Sequence, residues 1–293
     1  MNDWALIEQL DTGSSEKTVW HYTGPEAFIS MLKTDEIWAS SPSHVNDSSE
    51  MSFAREVLLE YWEEFSSAQM KSNSFISSVM DRKFYNQNRT NVFFFSGAKT
   101  SKLLNLWVQY AGKGGFAVEF ETSYKFQHPE LNPADVDQDD PIGLIFPDWY
   151  DVEYGRGYMT EKFSGLVGWL SNLEQLHHLS TQTRLDAARV NLISHFLKLK
   201  HEGFSSESEI RFVTASLDVN LSRYRTLKGK VVPYIPLRAV EYGNDCFQFR
   251  KLPILSVVCA PGASASDREG ITSLLKSYGH DVPVTISDIP YLG

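Results

Sequence analysis

The chain has 293 residues, of which 42% are hydrophobic, and a formal net charge of -10 at pH 7. This length and composition suit a globular protein with a sizeable core. Residues 1–66 hold 13 acidic and 3 basic residues, which disfavours general binding to a nucleic-acid backbone.

The same composition predicts the cellular location. No run of 18 apolar residues is present, so no transmembrane helix is expected, and the N-terminus lacks an apolar leader segment. The two cysteines, Cys246 and Cys259, do not form a metal-binding pattern and make a poor disulfide framework. We therefore expect a cytoplasmic protein with no membrane partner.

The first half of the chain mixes short strands with amphipathic helices. Strands are predicted at 18–22, 36–40, 91–96 and 116–120. A capping box formed by Thr23 and Glu26, with Pro25 in the first turn, predicts the start of the first helix. Further helices are predicted at 47–65, behind a second capping box, and at 104–111, where Gly112 ends the helix.

The second half continues this mixture. The predicted elements are a loop at 125–147, a strand at 149–154, two helices within 161–200, strands starting at 205, 230 and 254, a helix at 264–278 and a strand at 282–286. Strands and helices do not alternate strictly, and no linker divides the chain. The sequence therefore predicts one α+β domain over 1–293, with a mixed, partly antiparallel sheet, flanking helices and a helical insertion around 161–200.

The segment SSESEIRFV at 205–213 contains two glutamates, Glu207 and Glu209, two residues apart. On an extended chain both would project to the same face, where like charges repel unless a solvent, cation or ligand separates them. The simpler explanation is a solvated strand edge, because charged residues are common there. The alternative is a pair of catalytic carboxylates.

Three other groups of residues are candidates for chemistry. Asn46, Asp47 and Glu50 fit helix capping better than a metal site, since three neighbouring oxygen ligands make a poor cage. The turn that contains Lys113 resembles a phosphate-binding loop only weakly, because a strand follows it. His21, at the end of the first predicted strand, is either a core histidine or a polar ligand-binding residue.

Several motifs together carry a family resemblance. They are WHYT at 20–23, IWASSPSHVNDSSE at 37–50, FFFSG at 93–97, LWVQYAGKGGFAVEF at 106–120, ESEIRF at 207–212 and the ending VVCAPG with VTISDIPY. In order and spacing they resemble the prokaryotic domain-of-unknown-function family two-nine-seven-one, over roughly His21 to Tyr291. More distantly, the layout is similar to the ADP-ribosyltransferase superfamily.

The superfamily resemblance implies a fold, a substrate and a set of site residues. The superfamily has a polar residue on a first strand, Ser or Tyr on a middle strand and Glu on a late strand. Here these would be His21, Ser96 or Tyr110, and Glu209. The implied substrate is NAD, whose nicotinamide–ribose bond breaks through a cation-like state that the carboxylate of Glu209 would stabilise.

Further roles follow from the same resemblance. Glu207 would orient or deprotonate the acceptor. His21 would bind the ribose or the nicotinamide amide, and Tyr22 or Tyr110 would stack on the nicotinamide. Arg211 has the strand parity of Glu209 and would pair with that glutamate or with the NAD pyrophosphate.

The resulting hypothesis is an NAD-dependent ADP-ribosyltransferase-like enzyme, acting as a bacterial or phage effector in conflict or toxin systems. The acceptor, protein or nucleic acid, is left open. One alternative is an NAD glycohydrolase with water as acceptor. A second alternative is a non-catalytic interaction module that binds a partner through the acidic N-terminal region. A third is a metal-dependent nuclease that uses Asn46, Asp47 and Glu50.

Overall fold

The computed structural model describes residues 13–42, 48–81, 84, 92–130, 148–215, 221–227, 229–242 and 247–290. The strands are β1 Thr18–Thr23, β2 Ile37–Ser40, β3 Val92–Ala98, β4 Phe116–Glu121, β5 Lys125–Gln127, β6 Asp148–Asp151, β7 Glu153–Tyr154, β8 Leu199–Lys200, β9 Glu209–Ala215, β10 Arg223–Leu227, β11 Lys230–Tyr242, β12 Phe247–Phe249, β13 Ile254–Cys259 and β14 Val284–Ile286. The helices are α1 Pro25–Thr34, α2 Ser48–Phe65, α3 Ala68–Ser72, α4 Ser74–Val79, α5 Leu104–Leu106, α6 Gly157–Gln175, α7 Thr181–Leu197 and α8 Ala265–Ser277, with a π-helical turn Trp107–Ala111 and a 3-10 helix Glu202–Glu207.

These elements confirm the α+β prediction, with a mixed and largely antiparallel sheet flanked by helices. Strand β3 is its central branch point. One edge of β3 pairs with β9 along the whole strand. The other edge is shared, since β2 pairs at Phe94 and β1 pairs at Ala98. Two arms therefore leave β3: a first arm of β1, β4, β13 and β14, and a second arm of β2, β11 and β10.

Two large hydrophobic clusters cover the two faces of β3. Because neighbouring residues of a strand point to opposite faces, Phe94 and Phe95 belong to different clusters. Phe94 packs with the helical layer that is built mainly from α2, α4, α6 and α7. Phe95 packs with a cluster that contains side chains of both arms, together with α1 and α8.

Local sequence signals explain several element boundaries. Ser264 and Asp267 form a reciprocal capping box at the start of α8, and Gly112 ends the π-helical turn with a φ of 63°. The predicted capping box at Thr23 is wrong, because Gly24 is the N-cap and no side chain caps the helix. Pro25 occupies the first turn, as predicted.

Two other predictions need correction. The predicted loop at 125–147 begins with a strand, β5, which pairs with β11. The predicted strand at 149–154 is divided between β6, which pairs with β9, and β7, which forms a separate parallel pair with β8. In the part of the chain that the structure describes, no helix is long and apolar enough to cross a membrane.

Candidate functional site

Ser96 lies inside β3, between the points where the two arms join it. The sequence predicted that the strand ends at Ser96, but pairing with β9 continues to Ala98. On the other edge, Phe94 pairs with Ser40 and Ala98 pairs with Trp20. Ser96 therefore faces the gap where β1 and β2 diverge, and it is half-buried.

The side chain of His21 forms a hydrogen bond with the backbone of Ser96. Its Nδ1 lies 2.8 Å from the Ser96 carbonyl oxygen, which can only accept, so Nδ1 carries the proton. The ring packs on Phe95 with 4.2 Å between centroids. Strands β1 and β3 approach each other closely here. Gly97 allows this approach, because a Cβ at that position would lie 2.4 Å from Val19 Cγ2.

His21 is neutral at physiological pH. Burial lowers its pKa most strongly, the hydrogen bond to Ser96 opposes that effect, and the positive charge of Arg225 lowers the pKa further, to about 4. With the proton on Nδ1, the free lone pair is on Nε2. The ring can therefore accept a hydrogen bond from a ligand.

The side-chain hydroxyl of the same serine binds Glu209. Ser96 Oγ donates to Glu209 Oε1 at 2.6 Å. Arg211 clamps the carboxylate with two bonds, from Nε to Oε1 at 2.7 Å and from Nη2 to Oε2 at 2.9 Å. Lys200 Nζ donates to Oε2 at 3.0 Å. Glu209 is only 6% exposed, so its two oxygens accept four hydrogen bonds in a buried setting.

These donors keep Glu209 ionised. Burial acts to raise its pKa, but the charges of Arg211 and Lys200 and the hydrogen bonds from Arg211 and Ser96 outweigh burial and lower the pKa to about 2. The shared parity of Glu209 and Arg211, expected from the sequence, is the direct reason that these two side chains meet.

Glu207 does not lie on the strand with Glu209. It ends the 3-10 helix, and Ser208 then adopts a left-handed conformation with a φ of 44° before β9 begins. The two glutamates nevertheless converge, because Lys200 Nζ also donates to Glu207 Oε2 at 2.6 Å. The cation that separates the two like charges is therefore Lys200, and both carboxylates are buried instead of lying at a solvated strand edge.

The two predicted tyrosines lie elsewhere. The hydroxyl of Tyr22 donates to the Thr100 carbonyl oxygen at 2.9 Å and accepts from the Leu103 backbone N–H at 3.1 Å. Its ring meets Trp107 edge to face, and burial raises its pKa to about 12. Tyr110 lies on the π-helical turn and is 48% exposed.

The structure thus brings together His21, Ser96, Glu207, Glu209 and Arg211 in one network around Ser96. Lys200 completes the network but was missed by the sequence analysis. A signal for Lys200 was present in the sequence. Two neighbouring glutamates that are buried together need a nearby cation, and Lys200 is the last lysine before Glu207.

Two further features lie apart from this network. A cavity of about 760 Å³ is lined by the Lys113 turn and by residues at the start of α8, and none of the predicted NAD-site residues lines it. In the described ranges, no cluster of three His, Cys, Asp or Glu side chains could hold a metal ion. Asn46 and Asp47 lie outside the described residues, as does the side chain of Glu50.

Comparison of the chain with protein-family models, with curated proteins and with solved structures found no match in any of the three. The resemblances described above therefore stay predictions, and the function has to be argued from the geometry of the network.

Proposed function

We propose that the chain is an ADP-ribosyltransferase-like enzyme that cleaves NAD at the nicotinamide–ribose bond. The observation that carries the proposal is the convergence of three strands on Ser96. His21 comes from β1, Ser96 from β3 and Glu209 from β9. This is the order of residue types that the superfamily resemblance implies for an NAD site.

The exposure of these residues indicates from which side NAD would approach. Arg211 and Lys200 are buried, whereas His21 and Ser96 are half-buried. Of the groups that donate to Glu209, the Ser96 hydroxyl is thus the accessible one. In the proposed complex, a ribose hydroxyl replaces it as donor to Glu209 Oε1. His21 has the parity of the Phe95 face, so its Nε2 would accept from a second ligand group through the gap between β1 and β2.

The proposed reaction is a substitution at the anomeric carbon of the ribose. The glycosidic C–N bond breaks, and its electron pair leaves with nicotinamide. A new bond forms from the acceptor, whose proton passes to a base such as Glu207 or to water. The ionised Glu209 stabilises the positive charge that develops on the ribose. Transfer to a macromolecule and hydrolysis by water share these steps.

A specific observation favours a second candidate, the non-catalytic interaction module. Both oxygens of Glu209 already accept hydrogen bonds, and Lys200 and Arg211 balance the charges of the two glutamates. Such a neutral, buried network also occurs as a purely structural device. The module and the enzyme differ in whether NAD is turned over.

The test is nicotinamide release from NAD by the purified protein, with and without cell lysate. Wild type is compared with Glu209→Gln and with the milder Ser96→Ala. Removal of the stabilising carboxylate is expected to lower release by about a hundredfold or more. Radiolabel from the adenylate phosphate of NAD, followed into macromolecules or free ADP-ribose, separates transfer from hydrolysis.

The sheet offers a matched control pair. Ser256 Oγ donates to Glu119 Oε2 at 2.6 Å between β13 and β4, which repeats the serine–glutamate contact outside the network. Ser256→Ala and Glu119→Gln should leave release unchanged, and circular dichroism checks that each variant is folded. Absence of release by wild type, with lysate present, would reject the enzyme and favour the interaction module.

A further inference from the structure

Arg225 on β10 lies against two aromatic rings of the second arm. Its guanidinium carbon is 5.3 Å from the Trp38 ring centroid and 5.7 Å from that of Tyr234. Its Nη2 donates to Ser40 Oγ at 2.8 Å. Cation–π contact and this hydrogen bond fix the direction of the guanidinium, so the side chain is preorganised.

The positive charge of Arg225 has no acidic partner in the described part of the chain. No carboxylate of these residues forms an ion pair with it, and its Nε is buried without a hydrogen-bond partner. A half-buried guanidinium normally pairs with an anion, because desolvation of the charge is otherwise costly. Consistently, burial lowers the pKa of Arg225.

The strand register places Arg225 on the face that Ser96 occupies. Arg223 is opposite Tyr234, Tyr234 is opposite Ser40, and Ser40 is opposite Phe94. Residues that are opposite each other share a face, and so do alternate residues of one strand. Arg225 and Ser96 therefore project to the same side, and the charge of Arg225 is close enough to His21 to lower the pKa of that histidine.

We propose that Arg225 and Ser40 form a binding site for a phosphate-ester anion, beside the gap that contains His21 and Ser96. A planar guanidinium that is held in a fixed direction, and whose Nε has no partner among the described residues, suits the oxygens of such a group. The positive charge and the N–H donors of the site favour an oxyanion. Its identity as the pyrophosphate of a dinucleotide rests on the proposed function, because NAD carries that group.

The site is tested by titration calorimetry with inorganic pyrophosphate, ADP-ribose and succinate. Arg225→Gln is expected to weaken pyrophosphate binding by at least about tenfold, as for loss of a charged hydrogen bond. Arg225→Lys, which keeps the charge but not the fork, should fall between wild type and Arg225→Gln. Equal pyrophosphate affinity in all these proteins would overturn the site, and succinate binding as tight as pyrophosphate would overturn its assignment to phosphate.

Arg223 provides the matched control. It lies two residues away on the same strand and face, but it pairs with Glu130 at 3.0 Å and with Glu36 at 3.7 Å. Arg223→Gln removes the same charge from β10 and should leave the pyrophosphate affinity within about twofold. An equal loss in both variants would mean that binding depends on general charge, and would overturn the specific site.

A measurement on the wild-type protein avoids any effect of substitution on folding. Phenylglyoxal modifies accessible arginine side chains, and mass spectrometry of peptides locates the modified residues. Pyrophosphate should protect Arg225 and leave the modification of Arg223 unchanged. Failure to protect Arg225 would overturn the proposal.

The two proposals can fail separately. Arg225-dependent binding of pyrophosphate without any NAD turnover would retain the anion site and reject the proposed enzyme. Conversely, NAD turnover whose KM is the same in wild type and in Arg225→Gln would retain the enzyme and reject the assignment of Arg225 to its substrate.

Discussion

Arg211 and Arg225 lie on the same face of one sheet, and their surroundings differ in burial and in the carboxylates that they contact. Arg211 is buried, meets the face of Phe94 and makes two bonds to Glu209. Arg225 also meets aromatic rings, but a neutral serine hydroxyl stands where Arg211 has a carboxylate. Aromatic rings can therefore orient a guanidinium without neutralising its charge. The charge of Arg211 is balanced by Glu209, whereas no carboxylate of the described residues pairs with Arg225.

The largest expected effect on the free energy of unfolding comes from replacing each of the two arginines in turn. Arg211→Met should lower the free energy of unfolding by about 3–5 kcal/mol, because Glu209 would be left in a buried site with one fewer cation. Arg225→Met should cost only about 1 kcal/mol, since it loses one hydrogen bond and two long, half-exposed cation–π contacts. Denaturant unfolding at pH 7 measures both values. Equal losses would contradict the contrast between a paired and an unpaired arginine.

Acid should weaken the ion pair between Arg211 and Glu209, because it protonates Glu209. The ordinary pKa of 4.5 applies to Glu209 in the unfolded chain, and the folded pKa is about 2. Between these values the unfolded chain binds more protons, so the stabilisation is complete above pH 4.5 and is lost as pH falls towards 2. The total is about 3 kcal/mol.

The measurement is denaturant unfolding of wild type and Glu209→Gln between pH 6 and pH 2.5. The stability difference between the two proteins should shrink as pH falls. A difference that is constant with pH would mean that Glu209 has no depressed pKa.

The smallest expected effect on stability comes from placing a carboxylate beside Arg225. In Ser40→Asp the new charge would take the position of a hydroxyl that already contacts Nη2 at 2.8 Å. The Coulomb gain and the desolvation cost largely cancel, so the free energy of unfolding should change by no more than about 1 kcal/mol. Pyrophosphate binding, however, should fall by at least about tenfold, because the anion site is occupied. Retained binding would contradict the assignment of Ser40.

The predictability of this molecule depends on whether the determining contacts are local. The bounds of β13 and α8 could be predicted closely because hydrophobic patterning and the Ser264 capping box act within a few residues. The meeting of Glu209 with Arg211 was also predictable, because strand parity fixes it.

The remaining features of the site depend on contacts that sequence patterns do not encode. The left-handed Ser208 interrupts the extended segment between the glutamates, and this conformation is rare for a residue other than glycine. The pairing of Lys200 with both carboxylates depends on how β8 and the 3-10 helix are positioned by α7. Arg225 had one usable signal, the alternation of arginines at 223 and 225, but whether a carboxylate of the described residues reaches it is a property of the folded sheet.

The branch point at β3 has a consequence for biosynthesis. The strand needs β9 to cover one edge, and the Ser96–Glu209 contact spans 113 positions of the chain. At ordinary translation speeds, β3 would emerge on the order of ten seconds before its partner. During that interval the apolar strand of three consecutive phenylalanines, 93–95, has an open edge of the kind that aggregates. Until residue 215 has been synthesised, this edge of β3 lacks the strand that covers it in the folded protein.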